Sequence, residues 1–200
     1  LPGGVCSSTR YNSAWQKPVY AQRSQGSRFW DVEGREFLDM SMSHGASLPG
    51  HAPQCLKQVF EQAWELGVLG SFDTPLHIEL AEELCRVVPC AERVRFTNSG
   101  SEATLIEPVD YNCGCILPEP GFLEGARQLA SEHGLILFFD EIQSFAKKSA
   151  GGAQQDFGVT PDICTIGKSL GAGLPLSAIC GRAELMDRFK PVGAVAHSGT

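Results

Sequence analysis

Three short apolar runs in the second half of the chain, LILFF (135–139), ICTI (163–166) and SAIC (177–180), constrain the fold more than any other feature. Each has the length of a buried strand, and none is long enough for an ordinary helix. Phe122 to His133 reads as a helix closed by Gly134, directly before the first run. A fourth run, Arg93–Phe96, ends at the small-residue turn NSGSE. Strands that alternate with helices predict an α/β fold built on a mostly parallel sheet with covered faces. In such sheets ligands collect at the carboxyl ends of the strands.

The first half reads differently. Residues 26–39 (GSRFWDVEGREFLD) alternate apolar and polar around Glu33-Gly34, as a hairpin would. Residues 53–66 and 76–88 carry apolar side chains at helical spacing, with Gly67 placed to stop the first helix. No repeat or low-complexity tract interrupts the chain. Two hundred residues are enough to bury a sizeable core.

Charge and cysteine spacing narrow the function classes. The formal charge of -7 argues against a nucleic-acid or anionic-membrane partner. The longest apolar run, Leu135 to Phe139, is far too short to span a bilayer. No signal peptide is visible, although the chain begins at Leu1 rather than Met. The eight cysteines form no C-x-x-C pair or Cys/His cluster, so no metal site is expected. Cys164 and Cys180 lie in apolar runs and read as buried thiols, which suits a reducing cytoplasm. Trp15, Trp30 and Trp64 read as packing residues, and His44 and His51 as hydrogen-bonded loop histidines.

The strand ends carry the chemistry. After RVRF come Thr97-Asn98-Ser99-Gly100-Ser101-Glu102, small residues at an expected helix start, where free N–H groups suit a phosphate. After LILFF come Asp140-Glu141, and after ICTI come Gly167-Lys168-Ser169. Alone, each is unremarkable: a helix cap, a solvated turn, a surface lysine. Together, at three strand ends of one sheet, a phosphate cradle, a carboxylate and a lysine are what pyridoxal phosphate (PLP) requires.

The chain resembles the class III aminotransferases of the fold-type I PLP enzymes, and most of all the glutamate-1-semialdehyde 2,1-aminomutase-like members. The resemblance rests on PGGVCSSTRY (2–11), GSRFWDVEGREFLD (26–39), GHAP (50–53), VRFTNSGSEAT (94–104), EPVDYNCG (107–114), GFLEGARQLASEHGLILFFDEI (121–142), FGVTPDICTIGKSLGAGLPLSAICGR (157–182) and HSGT (197–200). It implies an N-terminal segment of hairpin and helix over 1–75, followed by a partial PLP-binding large domain over 76–200. Lys168 matches the Schiff-base lysine and Asp140 the partner of the pyridinium nitrogen. Ser99, Gly100 and Ser101 match the phosphate cradle. Ile142 matches the residue packed on one ring face, Gln143 the residue that reaches the 3′-oxygen, and Glu107 the carboxylate near the site. Thr200 matches a threonine that serves the neighbouring subunit's phosphate, which implies a homodimer. Ser7 and Arg10 match a substrate-binding serine and arginine; a surface arginine with no such role is the other reading.

By the same resemblance, the activity is PLP-dependent amino-group transfer on a small amino acid or amine, as aminotransferase or aminomutase. Two other readings stay open: a non-catalytic relative acting through a paralogue, and a PLP enzyme of another type, such as a racemase or decarboxylase. Between SGSEAT and EPVD the family carries a helix, two strands and an aromatic block that this chain lacks. The family also continues beyond the position matched by Thr200.

Overall fold

The computed structural model describes residues 4–5, 10–12, 14–67, 73–97 and 106–189. They fall into two compact units, one formed by Leu1–Met42 and Leu48–Val68, the other by Ser43–Ser47 and Leu69–Thr200.

The first unit contains two small antiparallel sheets and a helix. Strands β1 (Tyr11–Asn12) and β2 (Lys17–Pro18) form a ribbon, and β3 (Ala21–Gln25), β4 (Arg28–Asp31) and β5 (Glu36–Leu38) form a meander. The expected hairpin is β4–β5, with Arg28 opposite Leu38 and the turn at Glu33-Gly34. Asp31 closes that turn, accepting from the backbone N–H groups of Glu33 and Arg35 and from the Arg35 guanidinium. Phe29 stacks on Phe37 at 4.9 Å, and the Arg23 guanidinium lies 3.5 Å over the Trp30 ring. His51 is a hydrogen-bonded loop histidine, its Nε2 2.7 Å from Asp39 Oδ2. Helix α2 (Gln54–Leu66) ends at Gly67, as its spacing predicts. Trp64 departs from the packing role expected of it, being 89% exposed.

Between β5 and α2 the chain makes a single turn, α1 (Met42–Gly45), whose residues all have positive φ.

The second unit is the α/β body. Helix α3 (Pro75–Val87) starts with proline at its first position, where a missing N–H costs nothing, and the Thr74 N–H donates to His77 Nδ1. Its Leu80, Leu84 and Val87 share the face turned to the core, which Val88, just beyond the helix, also joins. Strand β6 (Arg93–Thr97), helix α4 (Phe122–Glu132), strand β7 (Phe138–Glu141), helix α5 (Gly152–Phe157), strands β8 (Ile163–Ile166) and β9 (Ser177–Gly181), and the short α6 (Ala183–Met186) follow.

The four strands form one sheet in the order β6-β9-β8-β7. Strands β6, β8 and β7 run the same way, and β9 runs antiparallel between β6 and β8. The sheet is therefore mixed, and β9 starts at the end where the others finish. Ile106 bridges Phe139 on the outer edge of β7, so EPVD begins just after a strand-like edge of this sheet. Strand β7 begins later than LILFF suggests, because Leu135 and Ile136 are exposed outside it. The core lies between the sheet and α3 and α4, where Leu84, Val88, Leu123, Phe139, Cys164, Ile166 and Cys180 are almost fully buried. Each such aliphatic or aromatic side chain contributes roughly 1.5–3 kcal/mol by leaving water.

Candidate active site

Because β6, β7 and β8 are co-directional, Thr97, Glu141 and Ile166 end at one rim of the sheet, and Ser177 of β9 begins there. Of the expected site residues that the structure describes, Asp140 lies at the end of β7, and Glu107, Ile142, Gln143 and Lys168 lie on segments beside this rim. Asp140 pairs with Thr165 in the parallel ladder, and its Oδ1 accepts from the Ile142 N–H (3.0 Å) and from Thr165 Oγ1 (3.4 Å). The carboxylate is thus held by its own strand end and by the neighbouring strand. Its backbone N–H donates to the Ile106 carbonyl at 2.7 Å, which sets Glu107 beside it.

Glu107 stands in the field of the same group. Burial raises its pKa first, and the charges of Asp140 and Asp110 add to that, opposed by Lys168 and by a hydrogen bond from Asn112. The charges of Asp140 and Lys168 thus both reach Glu107. Lys168 sits just beyond β8 in a left-handed conformation, φ 41°, which a residue with a side chain adopts only when its surroundings hold it there. The residue before it, Gly167, is buried with no room for a side chain. A Cβ there would lie 2.8 Å from Ile142 Cδ1 and 3.3 Å from Ser177 Cβ. Ile142 is thereby placed against the turn that carries Lys168. Ser177 is held in turn, its Oγ 2.7 Å from Thr97 Oγ1 and donating to the Thr97 carbonyl at 2.9 Å.

Asp140 and Glu141, adjacent in sequence, diverge because side chains alternate across a strand. Glu141 is fully buried on the far face. It accepts from Ala153 N–H, from the Gln154 N–H and side-chain amide, and from Ser144 Oγ. Burial raises its pKa, against the pull of those donors. Glu141 thus anchors β7 to the start of α5. Gly152 makes room for it: its φ is 73°, and a Cβ there would strike the Glu141 carboxylate.

Gln143 lies in the turn after β7, half-buried. Arg10 belongs to the first unit and is exposed. Ser7, Ser99, Gly100, Ser101 and Thr200 lie outside the described residues. Cys164 and Cys180 are buried free thiols as expected of such runs, and Cys90 is a third. A hydrogen bond with Cys164 and then burial raise the pKa of Cys90; a hydrogen bond with Cys180 and burial raise that of Cys164, against the bond with Cys90. Among the described residues no group of three or more His, Cys, Asp or Glu could hold a metal ion. No described helix is long and apolar enough to cross a membrane.

The donor set fits PLP. It offers an amine for an aldehyde, a carboxylate fixed in place for a ring N–H, and an apolar side chain for a ring face. The cradle that a missing Cβ leaves at Gly167 keeps the isoleucine and the lysine turn in contact.

Comparison with known proteins carries the same chemistry. The family profile of Aminotransferase class-III matches residues 11–105 and 103–200. Glutamate-1-semialdehyde 2,1-aminomutase of Methanocaldococcus jannaschii is 30% identical over an alignment of 282 positions, which takes in 100% of this chain and 66% of that protein. The enzyme of that name from Aquifex aeolicus is 29% identical, over 100% of this chain and 67% of its own length. An omega-transaminase from Sphaerobacter thermophilus superposes with a TM-score of 0.91 at 26% identity, over 100% of this chain and 66% of that one. The fold is thus a partial fold-type I PLP-transferase large domain. The chain belongs to the class-III aminotransferase family. It spans about two thirds of the length of these relatives, 66% for the first. An alignment of 282 positions on 200 residues includes positions of the relative with no counterpart here, and the two profile matches meet at 103–105, where SGSEAT gives way to EPVD.

Proposed function

We propose that this chain is the cofactor-bearing portion of a PLP-dependent enzyme that moves amino groups on small amino acids or amines. The observation that carries the reading is the convergence of Lys168, Asp140 and Glu107 at one rim of the sheet, with Ile142 seated against Gly167. When bound, PLP supplies an electron sink that stabilises negative charge at the substrate's Cα. Lys168 would be the amine that holds the cofactor through its aldehyde, and the same amine would move a proton to and from Cα. Asp140 holds the proton on the ring nitrogen; its anchoring by Ile142 and Thr165 orients the carboxylate for that task. Glu107 lines the same rim, Ile142 covers a ring face and Gln143 reaches the ring oxygen. Ser99, Gly100 and Ser101 hold the phosphate, with Thr200 acting on the partner's site in a cytoplasmic homodimer, and Ser7 and Arg10 bind substrate.

Within this reading, the 30% identity to an aminomutase favours a 1,2-shift on a glutamate-1-semialdehyde-like substrate over transfer between two molecules. A single-turnover assay with isotopically labelled amino donors tests both. The expected result is amino transfer or amino shift that falls to background in Lys168→Ala, and by about 10²-fold or more in Asp140→Ala. Exchange of the Cα proton with no movement of the amino group would replace the reading with a racemase-like one.

A further inference from the structure

A run of strained backbone and a half-buried lysine meet beside Lys168. Met42, Ser43 and His44 have φ values of 45°, 58° and 55°, and Lys168 and Ala172 have 41° and 49°. For residues with side chains each such conformation costs about 1 kcal/mol or more, so something must hold both segments. Lys147, from the turns after β7, touches both. Its ammonium donates to the Gly45 carbonyl and, at 2.8 Å, to Ser169 Oγ. Ser169 Oγ also donates to the Gly45 carbonyl at 3.4 Å. A Cβ on Gly45 would collide with the ammonium, so the site is shaped around it. Successive turns closed by Leu170 N–H to Gly167 O (3.0 Å), Gly171 N–H to Lys168 O (3.2 Å) and Ala172 N–H to Ser169 O (3.2 Å) make 167–172 one unit. Fixing Ser169 therefore fixes Lys168.

We propose that Lys147 is a positioning residue: its ammonium clamps the left-handed turn at Gly45 to Ser169 and thereby fixes the backbone turn that presents Lys168. Burial, and after it the charge of Lys168, lower the pKa of Lys147, which independently places the two lysines in one field. The inference rests on the reading of Lys168 as the cofactor lysine, but the clamp can be measured without the cofactor.

The experiment is amide hydrogen exchange on the cofactor-free chain, comparing the wild type with Lys147→Met and Lys147→Arg, paired with the rate at which borohydride traps PLP on Lys168. In Lys147→Met, exchange over 167–173 should rise at least tenfold while β7 and β8 keep their protection, and trapping at Lys168 should slow in parallel. Lys147→Arg should restore most of both. Unchanged exchange over 167–173 in Lys147→Met overturns the clamp. If wild-type Lys168 traps no PLP while exchange responds as expected, the cofactor reading fails and the clamp stands. Should Lys147→Met loosen the whole sheet, Ser169→Ala decides. It keeps the ammonium and removes one acceptor, and faster exchange confined to 167–173 supports the clamp, whereas none overturns it.

Discussion

At the scale of single residues, two carboxylates show how placement sets the sign of a titration. Glu107 has its pKa raised, first by burial and then by Asp140 and Asp110. A carboxyl raised in the folded state holds its proton more tightly there than in the unfolded chain, so its ionisation costs stability as pH rises above the unfolded value near ~4.3. Glu107→Gln should therefore be more stable than wild type at pH 7 in urea denaturation, with the gain vanishing below about pH 4. Asp162 behaves oppositely. Burial works to raise its pKa, but hydrogen bonds from Arg127, Leu137 N–H and Arg182 outweigh it and hold the carboxyl low. Its stabilisation is present above the unfolded value near ~3.9 and is lost as pH falls through the depressed folded value. Gly167 supplies a third case. Gly167→Ala must push aside Ile142 or Ser177, at a cost of about 1–3 kcal/mol, and should weaken PLP binding in an absorbance titration.

Between elements, Asp162 also ties the end of the sheet opposite the site. It accepts from the Leu137 N–H before β7, from Arg127 on α4 and from Arg182 after β9, all at 2.8–2.9 Å. Because Arg182 is half-exposed, Asp162→Asn should cost on the order of 2 kcal/mol at pH 7, a difference from wild type that shrinks towards pH 3. Much of this framework was legible in the residues. The run ICTI is β8 residue for residue, and α2, α3 and α4 fall within a residue or so of their apolar spacing. The direction of β9 was not, because a short, fully buried strand carries no mark of which way it runs. Leu135 and Ile136 misled for a related reason: they extend an apolar run beyond the strand and stand exposed. The placement of Asp140 and Lys168 at strand ends was readable. Glu141 and Lys147 were not, since their partners, Gln154 and Gly45, come from segments that only the folded chain brings close.

For the molecule as a whole, the family match and the site belong to a chain about two thirds the length of its relatives, with a break in the match at 103–105. The rim of the α/β unit nevertheless keeps Lys168, Asp140, Glu107 and Ile142 together. The account predicts that this rim accepts the cofactor. The measurement that tests it most directly is the mass of the purified chain after incubation with PLP and borohydride, followed by peptide mapping. One PLP-sized addition on Lys168, absent from Lys168→Ala, is the predicted result. An addition confined to other lysines, or none at all, would contradict the account.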